Sequence, residues 1–256
     1  MILIKSNREI ELMRQAGKIL ANTRDMLEKH IKPGISTYQL DQLAHEYIIS
    51  QNATPSFKDY NGFQGSICTS VNEVVVHGIP SSNKILKDGD IISIDIGVDY
   101  KGYHSDSGWT YPVGKISPEI KQLLKVTEEA LFVGLSTCKP GAHVGDVGSA
   151  IEKFIKPYKY GIVEEFTGHG IGKNLHEDPD VPNFGKKGTG ALLKPGMTFC
   201  VEPMINLGTK KVKILEDNWT TVTLDRKPSA HFEHTILITE DGYEILSTNN
   251  KEIKNG

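Results

Sequence analysis

Leu86-Lys87-Asp88-Gly89-Asp90 runs into Ile91-Ile92-Ser93-Ile94-Asp95-Ile96-Gly97-Val98, a turn leading into a strongly apolar strand with a carboxylate at its centre. The pattern returns 107 residues later, where Leu193-Lys194-Pro195-Gly196 leads into Met197-Thr198-Phe199-Cys200-Val201-Glu202. Asp95 and Glu202 hold the same place in the two copies. A second phrase shares the offset: Lys32-Pro33-Gly34 and Lys139-Pro140-Gly141 are also 107 residues apart, and each precedes a helical pattern. Two turn signals, one offset and one matched carboxylate predict two related α+β halves, about 1–115 and 116–256, facing each other around a pseudo-twofold axis within one catalytic domain, 1–256. Two copies are too few for a solenoid.

The surrounding elements agree with this reading. Ser6-Asn7-Arg8-Glu9 is a capping box ahead of Ile10, Met13, Gly17, Leu20 and Leu27 at helical spacing, with a stop near Lys32-Pro33-Gly34. Ser36-Thr37-Tyr38-Gln39 opens a second helix, Ser117-Pro118-Glu119 a third, and residues 142–156 form a fourth. Strands are expected over Gly65–Val76, Ile91–Val98, Gly108–Val113, Val163–Phe166, Met197–Ile205 and Phe232–Thr239.

Composition narrows the function classes. In 256 residues, 29 Lys and Arg stand against 32 Asp and Glu, a net charge of −3 that leaves no basic footprint for nucleic acid. A composition 38% hydrophobic and 24% charged excludes intrinsic disorder. Cys68, Cys138 and Cys200 are sparse, odd in number and without a CxxC pair, which favours a reducing compartment. No apolar run approaches the roughly 18–20 residues of a membrane helix, and Met1–Lys5 is too briefly apolar for a signal-peptide core. The expected location is the cytoplasm.

A lone charge within an apolar strand is costly, so Asp95 must be paired or bound to a cation. Asp99-Tyr100-Lys101-Gly102 reads as a hairpin turn. If Asp99 pairs with Gly102, Asp95 lies directly across from Asp106, with Cβ atoms about 4.5–5.5 Å apart. Two like charges that close repel by roughly 4 kcal/mol at an effective dielectric near 20. Such a pair is a proton-sharing dyad or a metal site. His169 in glycine-dense Thr167–Gly172, with Glu202 and Glu233 in apolar strand-like stretches, favours the metal. Four carboxylates and an imidazole balance two divalent cations, and oxygen-dominated ligation favours Mn²⁺, Fe²⁺ or Co²⁺ over a thiolate-type zinc. Two metals about 3.5–4 Å apart can clamp and activate a bridging hydroxide.

The motif series resembles that of the type I methionine aminopeptidases: Val76-His77-Gly78-Ile79-Pro80, Ile94-Asp95-Ile96-Gly97, His104-Ser105-Asp106, Gly168-His169-Gly170-Ile171-Gly172, Leu175-His176-Glu177, Val201-Glu202-Pro203-Met204 and Phe232-Glu233-His234-Thr235. Order and spacing match from about residue 5 to residue 247, in the short bacterial form. The resemblance implies the pita-bread fold and a dinuclear site made by Asp95, Asp106, His169, Glu202 and Glu233. It implies that His77 contacts the scissile amide nitrogen, that His176 stabilises the oxyanion, and that Glu202 also shuttles the proton. It lines the methionine pocket with Tyr60, Phe63, Cys68, His77 and Trp219. Two departures stand out: Leu175 where phenylalanine is usual, affecting the pocket's fit, and His231 where glutamine is common, expected at the site's entrance.

The remaining histidines are expected to be structural. His104 reads as support behind the ligands, His234 as pointing away from Glu233, and His30, His45 and His143 as surface residues beside helices. The implied substrates are N-terminal methionyl peptides and nascent chains, met in transient ribosome contact by a monomer, with no direct sequence-specific nucleic-acid contact and no membrane. The nearest alternative is an Xaa-Pro peptidase of the same fold. A catalytically dead binding module would lack ligands, yet all five are present. A metal-dependent phosphoesterase would need a phosphate-cradling loop. HExxH, Walker, G-x-S-x-G and dinucleotide fingerprints are all absent.

Overall fold

Ser6 starts the first helix, α1 (Asn7–Glu28), by the expected reciprocal capping: its backbone N–H donates to Glu9 Oε2 at 2.7 Å while Glu9 N–H donates to its hydroxyl at 3.5 Å. The computed structural model describes residues 1–249. The first half continues with α2 (Thr37–Ser50), β1 (Thr54–Pro55), β2 (Cys68–Val71), β3 (Val74–Val76), β4 (Ile91–Tyr100) and β5 (Tyr103–Pro112). Next come α3 (Pro118–Leu135), α4 (Val144–Ile155), β6 (Gly161–Ile162), β7 (Gly168–Gly170), β8 (Glu177–Val181), β9 (Thr198–Val201) and β10 (Met204–Asn206). The last strands are β11 (Val212–Ile214), β12 (Thr221–Thr223), β13 (Ser229–His231), β14 (His234–Ile238) and β15 (Tyr243–Ile245). The end of the predicted second half, residues 250–256, lies outside the described residues.

Strand alternation explains how β4 accommodates both Asp95 and an apolar sequence. Ile92, Ile94, Ile96 and Val98 face one way, into a core with Leu20 and Leu27 of α1 and Leu40 and Ile48 of α2. The odd-numbered residues lie on the opposite face, where Ile91 joins a core built from α3, α4, β9 and β14, including Leu131, Ile151, Phe199 and Ile236. Asp95 therefore points between the cores. One sheet runs β1-β4-β2 with β5 paired to β4, and another runs β15-β14-β9-β7-β8.

Corresponding backbone bonds recur at the offset read from the sequence. Gly34 N–H donates to Leu86 at 2.8 Å, and Gly141 N–H donates to Leu193 at 3.0 Å. Leu86 returns a bond to Ile35, as Leu193 does to Ala142, each at 2.8 Å. Gly34 and Gly141 sit at φ 95° and 85°, a conformation that glycine adopts without a Cβ penalty.

Several expectations need correction: Gly65–Val76 breaks at Asn72-Glu73 into β2 and β3, and Met197–Ile205 breaks at Glu202-Pro203 into β9 and β10, in each case strands of different sheets. The β4–β5 hairpin pairs Tyr100 with Tyr103, so Asp95 faces Gly108 and Asp106 faces Gly97. Lys101 and Gly102 are the two turn residues, at φ 55° and 82°, and this primed turn shifts the register by two. Asp95 and Asp106 are diagonal neighbours on one face rather than a direct pair. Val163–Phe166 is not a strand: β6 pairs with β10 over Gly161–Ile162, Val163 N–H adds one last bond to Met204 O at 3.1 Å, and the next strand is β7.

Candidate metal centre and active site

The ligand candidates come from both halves, and a ladder of cross-half bonds fixes their relative positions. Glu233 N–H donates to Gly108 O at 2.8 Å, Ser107 Oγ to Glu233 O at 2.6 Å, and Asp106 N–H to Thr235 Oγ1 at 2.9 Å. Thr235 returns its hydroxyl proton to Asp106 O at 2.7 Å. Backbone and buried hydroxyls thus set the two carboxylates against each other without using their oxygens.

His169 reaches the same space from β7. The flanking glycines let the strand approach its neighbours: a Cβ on Gly168 would lie 2.2 Å from Cys200 O, and one on Gly170 2.1 Å from Asp178 O. His169 Nδ1 is 2.9 Å from Gly170 O, which can only accept. Nδ1 therefore carries the proton in the neutral ring, leaving the Nε2 lone pair free, the usual arrangement in a metal-binding histidine. That Nε2 stands 3.6 Å from Glu202 Oε1 and 3.9 Å from Asp106 Oδ2.

The electrostatics call for cations. Burial, followed by repulsion from the other carboxylates, pushes Asp106, Glu202 and Glu233 well above the ordinary carboxylate range. Burial also raises Asp95. Asp95 Oδ1, Asp106 Oδ1, Glu202 Oε1 and Glu233 Oε1 are buried with no hydrogen-bond partner among the described residues. Native proteins rarely leave such atoms unsatisfied. Hard carboxylate oxygens beside an imidazole with its lone pair turned inward fit divalent ions.

Asp95, Asp106, His169, Glu202 and Glu233 form one end of a cavity of about 710 Å³. The other six predicted residues, Tyr60, Phe63, Cys68, His77, His176 and Trp219, line the same cavity. Trp219 stands edge-on to Phe63 at 5.1 Å and to His77 at 6.1 Å between ring centres. His77 holds a left-handed φ of 58°, which aims its ring against Phe166 at 5.4 Å; burial, then His176, lower its pKa to about 4. Tyr60 Oη lies 2.8 Å from His176 Nδ1, and the His176 ring is tilted against His169 at 4.3 Å. Burial, then His104, lower the pKa of His176 as well. Leu175 is buried in the apolar cluster with Phe63 and Cys68.

The lesser expectations divide. His104 pairs with Ser56 at 2.8 Å and His234 with Ser247 at 2.8 Å. His30, His45 and His143 are half-buried rather than fully exposed, His45 meeting Ser66 at 2.9 Å. His231 is not at the entrance: it is 2% exposed and lies behind the carboxylates, 3.6 Å from Glu233 and 3.9 Å from Glu202. Cys200, absent from the sequence-derived site, also borders it. Its Sγ lies 3.4 Å from Thr235 Oγ1, and burial holds the thiol protonated. Its alternation with Phe199 and Val201 was the available signal, since that places it on the face opposite the core.

Residues 11–240 match metallopeptidase family M24. The chain belongs to that family. Methionine aminopeptidase 1 of Bacillus subtilis is 56% identical over 247 residues, 96% of this chain and 99% of that protein. The crystal structure of methionine aminopeptidase from Rickettsia prowazekii superposes with a TM-score of 0.95 at 44% identity, covering 96% of this chain and all of the other. Prolidase from Pyrococcus furiosus, at 24% identity and a TM-score of 0.80 over 66% of its length, shares the fold. The fold is thus the M24 pita-bread, as the motif series implied. Family membership makes this a metallopeptidase, and the inward-facing carboxylates supply donors of the required chemistry.

Proposed function

We propose that this chain is a metalloaminopeptidase that removes N-terminal methionine when the second residue is small, holding two divalent ions with Asp95, Asp106, His169, Glu202 and Glu233. One observation carries the reading: four buried carboxylates with unsatisfied oxygens meet an oriented imidazole at the end of a cavity walled by Tyr60, Phe63, Cys68 and Trp219. The full-length similarity to methionine aminopeptidases supports the methionine substrate. Mn²⁺, Fe²⁺ and Co²⁺ suit this donor set. Bound, such ions activate water and polarise the scissile carbonyl.

The chain's own residues do the rest. Glu202 accepts a proton from the attacking water and returns it to the leaving amine. If Tyr60 donates to His176 Nδ1, Nε2 keeps its proton and faces the developing oxyanion as a donor. His77, neutral near pH 7, contacts the scissile amide nitrogen. Tyr60, Phe63, Cys68 and Trp219 exclude water around a thioether side chain. The 107-residue recurrence of backbone bonds supports one catalytic domain made of two related halves. Three buried, unpaired thiols support a reducing, cytoplasmic setting. No helix among the described residues is long and apolar enough to cross a membrane. The proposed substrates are nascent chains, met in transient ribosome contact by a monomeric enzyme.

The deciding experiment is hydrolysis of Met-Ala-Ser against Xaa-Pro peptides by metal-reconstituted protein. Release of methionine from Met-Ala-Ser with little Xaa-Pro cleavage is expected. The opposite preference would assign the chain to the proline-directed branch.

A further inference from the structure

His231 lies on the hidden side of the centre, and its surroundings hold it there. Its backbone N–H donates to Thr110 Oγ1 at 2.9 Å, and its carbonyl accepts from that hydroxyl at 2.7 Å. The ring lies against Gly108, where a Cβ would come within 2.7 Å of Cε1. Gly108 is the residue paired with Asp95 across the hairpin, so the missing side chain leaves the space that the imidazole fills.

Within that space His231 mirrors His169. Its Nε2 is 3.6 Å from Glu233 Oε2 and 3.9 Å from Glu202 Oε2, just as His169 Nε2 is 3.6 Å from Glu202 Oε1 and 3.9 Å from Asp106 Oδ2. Glu202 stands between two imidazoles, one toward each oxygen. These separations are too long for hydrogen bonds. Ligand atoms held about 2.0–2.2 Å from a common ion lie about 3–4 Å from each other. His231 Nε2 is buried and has no partner among the described residues, and Asp95, His231 and Glu233 offer ligand atoms within 4.8 Å of one another.

We propose that His231 is a further ligand of the metal centre, which then holds two imidazoles; the inference rests on the metal-centre reading above. An added nitrogen donor biases the site toward the later first-row ions, Co²⁺ and Zn²⁺, relative to Mn²⁺. Replacing it by glutamine should weaken Co²⁺ binding by at least about tenfold, the lower end of what altered metal surroundings cost, with a smaller loss for Mn²⁺.

The test is proton NMR of the Co²⁺-loaded protein carrying ¹⁵N-histidine, alongside calorimetric Co²⁺ and Mn²⁺ titration. Each imidazole bound through Nε2 contributes one hyperfine-shifted Nδ1–H resonance, split by the label. Two such resonances are expected in the native protein, one in His231→Gln and one in His169→Gln. A single resonance in the native protein, retained in His231→Gln and lost in His169→Gln, would overturn the assignment while leaving the metal centre standing. Failure to retain Co²⁺ at all would overturn the metal-centre reading and this inference with it. The native spectrum alone counts the imidazoles, so the answer does not depend on either variant folding.

Discussion

Lys5 Nζ stands 2.6 Å from Glu177 Oε2 with both side chains only 4% exposed, a buried ion pair between residues 172 positions apart. It ties the N-terminal segment to the turn that carries His176. Glu177 also accepts from Asn174 N–H at 3.0 Å, and Lys5 N–H donates to Gly196 O at 2.8 Å. The lysine stem passes where Gly172 has no side chain, since a Cβ there would lie 2.3 Å from Lys5 Cε.

Lys5→Met should therefore destabilise strongly, because it leaves the Glu177 carboxylate buried and unpaired. Breaking such a pair from one side costs about 3–5 kcal/mol, whereas replacing both partners by apolar residues is often close to neutral. Urea melts should show the large loss in Lys5→Met and recovery of most of it in Lys5→Met with Glu177→Leu. A single-variant loss below about 1 kcal/mol, the range of surface pairs, would mean that the pair is screened by solvent.

Chelation should abolish peptidase activity, and Mn²⁺, Co²⁺ or Fe²⁺ should restore it. Glu233→Gln and Asp106→Asn remove carboxylates at the crowded centre of the cluster. Each should reduce activity at least as severely as loss of His169. Turnover by fully metal-free protein, checked by elemental analysis, would contradict the mechanism.

Much of this centre was legible in the sequence because its residue types are expensive to bury. Asp95 stands out in an apolar strand, Glu202 and Glu233 stand out in apolar stretches, and His169 stands between glycines that mark close backbone approach. The capping box at Ser6 is a local signal and forms as read, and Ser36, read as opening the second helix, caps it through the same reciprocal bonds. Register was less legible: Asp99 and Gly102 looked like the paired ends of a two-residue turn, but Lys101 and Gly102 both accept a positive φ, and the turn sits one residue further along with Tyr100 and Tyr103 as its paired ends. His231 was misplaced because its burial depends on Gly108, a contact between segments more than a hundred residues apart. The short strand β6 exists only through its pairing with β10 in another segment, so no local period announces it.

The metal-free protein should lose stability as pH rises above about 6.5, the ordinary histidine value. Burial lowers His77 to about 4 and His169 and His231 to about 3, so these rings are neutral in the folded protein and cost stability only below the ordinary range. Asp106, Glu202 and Glu233 are raised, so the folded protein keeps protons that the unfolded chain has released. Stability held by raised groups disappears as pH climbs through their folded pKa values. Thermal melts in EDTA from pH 6.5 to 8.5 should show a falling Tm, with a shallower fall in Glu233→Gln. Metal loading should reverse the trend and release protons. A flat Tm in EDTA would count against the raised carboxylates.

His176→Ala should lower kcat by roughly 10²–10³ with little change in KM if it supplies an oxyanion donor. Tyr60→Phe, which removes the hydroxyl 2.8 Å from Nδ1, should lower kcat by a smaller factor by freeing the ring to turn. Steady-state kinetics on Met-Ala-Ser separates the roles: an unchanged kcat in His176→Ala would leave that ring as a wall of the cavity.

Specificity tests the cavity from the substrate's side. A closed apolar pocket distinguishes an extra or missing methylene by only about 1–3 kcal/mol, so methionine should beat leucine clearly but not absolutely. Norleucine, similar in length but without sulfur, should outdo branched residues. If the second side chain lies at the rim of a narrow cleft, Met-Gly, Met-Ala and Met-Ser should be cleaved well and Met-Lys, Met-Glu and Met-Phe poorly. Leu175, 3% exposed and lining the cavity, is the wall most open to adjustment. A phenylalanine there adds volume that the packed side cannot take without strain, so the ring must turn into the cavity. Leu175→Phe should keep activity on Met-Ala peptides and narrow tolerance of bulkier ones. Comparing kcat/KM across both peptide series decides it: equal rates on Met-Ala and Met-Lys would defeat the steric argument, and identical profiles for native and variant protein would remove Leu175 from it.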